Sequence, residues 1–301
     1  MNHPRPWEGP YAAVVTPFDE RGAIRFDDFA TIVERFVDNG ATGVIVSGHN
    51  GESWALGLDE QVALVRAAKD AVSGAVPVLC GVEQVRSEDV VRSTQQLAEA
   101  GAEGIMIEPP YVVTTSTREE TLDRFGAIAD ASPVPLMLYN NPRRTQIDLS
   151  PELIAELAGL PNVAALKDAN RDLRHLTRVL DLCGDRIAVF AGPSALILPG
   201  VLLGARGFVS SGPLELLGAR GGAYYRLLRE RRLDEALPIH TTLSAMYGVL
   251  FGTGTWPAAL KAALGLLGYP AGVPRTPVRP LAPAAVESLR TTMVELGVQL
   301  P

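Results

Sequence analysis

The stretch from Val134 to Lys167 decides the fold. It opens with Val134-Pro-Leu-Met-Leu-Tyr139, passes through Ser150-Pro151-Glu152 and closes with Val163-Ala-Ala-Leu-Lys167. Both flanking runs are continuously apolar rather than alternating, as in strands buried on both faces. Ser150 followed by proline reads as an N-cap with proline at the first helical position. A strand, a helix and a second strand make one crossover unit, the connection that parallel strands require.

The same apolar run recurs six more times. Upstream lie Ala12-Ala-Val-Val-Thr-Pro17, Gly43-Val-Ile-Val-Ser47, Val76-Pro-Val-Leu-Cys80 and Gly104-Ile-Met-Ile107. Downstream lie Ile187-Ala-Val-Phe190 and Gly207-Phe-Val-Ser210. Helical period fills the gaps. Phe29, Ile32, Val33 and Phe36 fall on one face before an Asn39-Gly40 stop, and Val90, Val91 and Leu97 follow Ser87. The segment Asp168 to Gly184 reads as a further helix. Eight strands alternating with helices over about 200 residues predict an α/β fold, a TIM (β/α)₈ barrel. An open dinucleotide-binding sheet would carry Gly-x-Gly-x-x-Gly after its first strand, and Phe18-Asp-Glu-Arg-Gly22 lacks it.

From about Glu215 the strand signal stops. Helical stretches follow near Ala223–Leu237, Thr241–Leu250, Pro257–Leu267 and Pro283–Leu296, with a proline-rich connector between the last two. The expected division is a barrel over 1–214 carrying the active site. Residues 215–301 then supply the last barrel helix and a C-terminal helical appendix.

Bulk properties narrow the function. With 47% apolar residues among 301, the chain can bury a large core. A net charge of −7 without a basic block argues against nucleic-acid and anionic-membrane partners. Met1 to Pro10 lacks a signal-peptide core, and no apolar stretch reaches the roughly 18 residues of a membrane span. Cys80 and Cys183 lie far apart in apolar surroundings, which suits reduced thiols in the cytoplasm.

In this fold catalysis sits where strands end. Lys69, Lys167 and Lys261 are the only lysines, so the sequence uses arginine for ordinary charge, yet Lys167 terminates a strand. Period-2 geometry puts Val163, Ala165 and Lys167 on one face, and Pro135, Met137 and Tyr139 on one face of the preceding strand. A desolvated lysine is a nucleophile toward carbonyls, and a phenol beside it can relay protons. Each has a plainer reading: a lysine reaching the rim or pairing with Asp168, and a buried tyrosine bonded to a backbone carbonyl.

These residues resemble a known family. Val15-Thr-Pro-Phe18, Gly48-His-Asn-Gly-Glu-Ser53, Tyr139-Asn-Asn-Pro-Arg-Arg-Thr145, Leu166-Lys-Asp168, Ala191-Gly192 and Leu198-Pro with Gly204-Ala-Arg-Gly-Phe-Val-Ser210 are similar to the dihydrodipicolinate synthase and N-acetylneuraminate lyase family of pyruvate-type class I aldolases. The resemblance implies a Schiff base at Lys167 and proton relay at Tyr139. It also implies a carboxylate nest at Gly48 to Gly51 with His49 and Asn50, pocket lining by Gly192 and the Val209 carbonyl, and a second carboxylate at Arg144. It implies a 2-oxo acid and an aldehyde as substrates, no cofactor or metal, and a homotetramer.

Three departures qualify it. His49 stands where relatives carry a hydroxyl, either as a proton relay or as a plain hydrogen-bond donor. Val112 replaces a tyrosine that reaches a neighbouring subunit, and Gly81-Val-Glu83-Gln84 replaces a lysine-feedback asparagine. Trp54 is expected to pack. The expected function is a Schiff-base lyase or synthase acting on pyruvate or a related 2-oxo acid. Its alternatives are 4-hydroxy-tetrahydrodipicolinate synthase proper, a 2-oxo-3-deoxy sugar acid dehydratase or aldolase, and, remotely, a non-catalytic ligand-binding barrel. A metal-dependent aldolase would need ligand spacing that His3, His49, His175 and His240 lack.

Overall fold

The computed structural model describes residues 7–111, 116–210 and 212–301. Eight strands close into one parallel barrel: β1 (Gly9–Ala13), β2 (Gly43–Val46), β3 (Val78–Val82), β4 (Gly104–Ile107), β5 (Leu136–Asn140), β6 (Val163–Asp168), β7 (Ala188–Ala191) and β8 (Gly207–Ser210). Each pairs with the next, and β8 closes on β1 with Val209 opposite Tyr11. Among the described residues no helix is long and apolar enough to cross a membrane.

Two cores result, because each strand is apolar on both faces. The larger one lies between the strands and the surrounding helices and takes Phe29, Ile32, Val33 and Phe36 from the helix Phe26–Asp38. The smaller fills the barrel with Trp7, Tyr11, Ile45, Leu79, Met106, Met137, Phe190 and Val209. Tyr11 meets Phe190 edge-on at 5.2 Å between ring centroids. Gly43 makes this filling possible, since a Cβ there would lie 2.1 Å from the Tyr11 ring.

Several sequence expectations shift. The first strand lies earlier than Ala12–Pro17, and β3 lies two residues later than its apolar run. In β6 the strict alternation fails. Leu136 pairs with Val163 while Met137 pairs with Ala165, an irregularity that leaves Ala164 as the extra residue. Val163 therefore joins the outer core while Ala164 and Ala165 face inward, and the period resumes in time to bring Lys167 to the inner side. The helix expected from Asp168 starts at Leu173, because Asp168 remains in the sheet and Asp172 caps the helix by accepting from the Arg174 N–H at 2.8 Å.

The stretch expected as Ala223–Leu237 is split. Arg231 adopts a left-handed φ of 57° between the helices Ala219–Arg229 and Leu233–Thr253, and the second absorbs the segment Thr241–Leu250. Helices Trp256–Leu266 and Pro283–Glu295 follow as the sequence predicts. Cys80 and Cys183 are free and buried.

Candidate active site

Strand pairing builds the centre. Tyr139 lies opposite Lys167 and Asn140 opposite Asp168 in adjacent strands. Asn140 locks this register: its amide donates to Asp168 and Asp148, both at 3.1 Å, and its carbonyl accepts from the Leu149 N–H. The Lys167 Nζ sits 4.0 Å from the centroid of the Tyr139 ring. Asp168 falls on the opposite strand face, where Asn140 and the Asn170 N–H bind it and His175 lies 3.7 Å away, so it does not take up the lysine.

The three lysines behave differently. Lys69 meets Glu103 near the surface, and buried Lys261 pairs with buried Glu52. Lys167 is 5% exposed and forms no salt bridge among the described residues. Burial lowers its pKa to about 8, the Arg144 charge adds to this, and Glu108 opposes it. Near neutral pH the neutral, nucleophilic fraction of such an amine is far larger than that of an ordinary lysine. For Tyr139, burial first and then the Glu108 charge hold the phenol protonated far into alkaline pH. Its oxygen accepts from the Asn141 side-chain amide at 3.0 Å, leaving the O–H able to donate.

The loop after β2 is a tight 3₁₀ turn, His49–Gly51, between left-handed residues Ser47 and Glu52. Its conformation is held from below. The Asn50 amide donates to the Ala13 carbonyl at 3.1 Å and its carbonyl accepts from the Trp256 indole at 2.8 Å. Glu52 is clamped by Lys261 and by the Arg275 N–H. The Asn50 side chain thus anchors the loop first, with one amide hydrogen left over. His49 lines the cavity. Burial and the nearby Arg144 charge lower its pKa to about 4, so it is a neutral imidazole at pH 7. A base that weak is a poor proton acceptor near neutrality, which favours the plain hydrogen-bonding reading.

Arg144 carries the main surprise. Its guanidinium makes a two-pronged contact with Glu83 and lies 3.1 Å from Glu108. Glu83 also accepts from the Ser53 hydroxyl. The two carboxylates neutralise the arginine inside the protein. Burial opposes its charge and the Glu83 hydrogen bonds outweigh that, so its pKa is raised. Glu108 is 3% exposed, and desolvation raises its pKa against the lowering pull of Arg144.

A cavity of about 270 Å³ gathers these groups. It is lined by His49, Asn50, Tyr139, Arg144, Lys167 and Gly192, six of the seven residues singled out in the sequence. Val209 is not among the lining residues, and its side chain fills the barrel interior; the role that the resemblance implies for this position belongs to its backbone carbonyl. Gly192 has a packing reason too: a Cβ there would lie 2.8 Å from the Asp168 carbonyl, beside Lys167. Val112 lies outside the described residues. Trp54 is 40% exposed rather than packed, projecting from the short turn Ser53–Ala55.

Sequence reading missed the cavity's outer wall. Tyr247, Phe251 and Trp256 come from the C-terminal helices and form one aromatic cluster, with Phe251 and Trp256 stacked at 4.5 Å. Glu108 was missed although it follows an apolar strand directly, the same signal that marks Lys167.

A closed parallel barrel whose open end holds a desolvated, unpaired lysine against a tyrosine defines a TIM-barrel lyase of the aldolase type. The dihydrodipicolinate synthetase family model matches residues 7–296, and the chain belongs to that family. The 4-hydroxy-tetrahydrodipicolinate synthase of Synechococcus sp. strain WH7803 is 37% identical over 295 residues, covering 97% of this chain and 96% of the relative. A dihydrodipicolinate synthase from Bacillus anthracis superposes with a TM-score of 0.90 at 31% identity, covering 95% of this chain and 97% of its own. The chloride-inhibited dihydrodipicolinate synthase from Acinetobacter baumannii, complexed with pyruvate, gives 0.90 at 25% identity, with 97% and 99% covered.

Proposed function

We propose that this protein forms a Schiff base between Lys167 and a short 2-oxo acid such as pyruvate, and makes or breaks a C–C bond to an aldehyde partner. One observation carries the reading: a buried amine, in no ion pair among the described residues, lies against a protonated phenol at the barrel mouth. The neutral amine attacks the ketone carbon. The Tyr139 hydroxyl protonates the departing oxygen as water, and a proton lost from C3 converts the imine to an enamine. The enamine carbon then attacks the aldehyde carbon, whose oxygen takes up a proton, and hydrolysis of the new imine returns the lysine. We assign the acid's carboxylate to the backbone N–H groups of the turn His49–Gly51, since a tight turn of this kind can serve as an anion nest.

Incubation with pyruvate and sodium borohydride tests this reading directly. A reduced adduct mapping to Lys167 by peptide mass spectrometry supports it, and the absence of an adduct with every 2-oxo acid tried rejects it.

The aldehyde partner divides the family readings. A synthase of the lysine pathway, the activity named for the Synechococcus relative, fits the core residues. The Glu83 and Glu108 clamp on Arg144 favours instead a substrate that places no carboxylate there, such as a 2-oxo-3-deoxy sugar acid. Family membership supports a cytoplasmic homotetramer.

A further inference from the structure

We infer that Arg143 and Arg171, set on the aromatic wall at the barrel mouth, receive a distal anionic group of the substrate, a carboxylate or a phosphate. This rests on the Schiff-base reading of Lys167. In the inner cavity the cation nearest the reacting lysine, Arg144, is already opposed by two carboxylates, so its attraction for a further anion is largely cancelled. The outer cavity has the opposite balance. Arg143 and Arg171 both line it, and neither pairs with a carboxylate among the described residues.

An aromatic face holds the Arg143 side chain, and that of Arg171 lies at the edge of the same wall. The Arg143 guanidinium carbon is 4.1 Å from the Phe251 ring centroid, and that of Arg171 is 5.9 Å from the same ring and 5.7 Å from Tyr247. A guanidinium stacked on a ring keeps its edge N–H donors free, so Arg143, with Arg171 beside the same ring, presents several donors to one anion. The two arginines arrive from the loops after β5 and β6, the strands that carry Tyr139 and Lys167. A substrate joined to Lys167 by its 2-oxo carbon therefore points its far end toward them.

Two six-carbon probes test the inference. Half-saturating concentrations for borohydride trapping at Lys167 are measured with 2-oxoadipate, which ends in a carboxylate, and with 2-oxohexanoate, which ends in a methyl group. The dicarboxylate should half-saturate at about tenfold lower concentration, a preference that weakens in 0.5 M salt because the arginines are exposed. In an Arg143→Ala/Arg171→Ala double variant the ratio should fall to near one. No preference in the native protein, a preference that survives the double substitution, or trapping of pyruvate but of neither six-carbon acid would overturn the inference. If pyruvate itself fails to trap, the Schiff-base reading falls and takes this one with it.

Discussion

Lys167 gains its reactivity from what is missing around it. Two other cations near the barrel mouth are each held by a carboxylate: Lys261 by Glu52, and Arg144 by Glu83 and Glu108. Desolvation outweighs the more distant pull of Glu108 and favours the neutral amine, which is the nucleophile. Below pH of about 8 the lysine is mostly protonated, so the reactive fraction rises about tenfold for each pH unit up to that point. The initial rate of cyanoborohydride trapping with pyruvate should climb from pH 6 and level off above about 8; a flat profile would assign the limiting step elsewhere. Replacing Tyr139 by Phe should lower turnover by ~10²–10⁴-fold while pyruvate still binds, the range expected for loss of a general acid or base. Steady-state kinetics alongside pyruvate titration separate the two effects.

Elements position these residues through a few buried polar contacts. Asn140 ties β5 to β6, and Glu52 with Lys261 pins the turn after β2 to the helix Trp256–Leu266. Replacing Glu52 by Gln leaves a buried ammonium unpaired and should cost about 3–5 kcal/mol in urea unfolding. Lys261→Met should cost a similar amount, and combining it with Glu52→Gln should cost far less than the two single losses added together. Additive losses would show that the pair is not coupled. Apolar runs made the strands legible, and Ser150 with Pro151 marked a helix start that the structure keeps. Periodicity misplaced Val163, because the irregular pairing of β5 with β6 depends on the partner strand and has no local signature.

For the molecule as a whole, the C-terminal helices do more than cover the barrel. The helix Leu233–Thr253 buries Ile239, Leu243, Met246 and Leu250 and turns Tyr247 and Phe251 toward the cavity. A Leu243→Ala substitution should therefore lower stability by about 2–5 kcal/mol and also loosen the outer wall, raising the half-saturating 2-oxoadipate concentration more than that for pyruvate. Light scattering should return a mass near four times 32.0 kDa; a monomer at micromolar concentration would reject the proposed tetramer.

The chain's own order of residues determined the barrel, the number and order of its strands and the pairing of Lys167 with Tyr139. These follow from local hydrophobicity and from the rule that consecutive parallel strands lie side by side. Tertiary structure alone decided which charges meet. Glu83, Glu108 and Arg144 follow three different strands, and the aromatic wall comes from helices over a hundred residues downstream of Arg143. Electrostatic pairing depends on distance in space and on exclusion of water, and barrel closure supplies both. That is why the sequence identified the reacting amine, while the charge balance that selects its substrate became visible only in the folded chain.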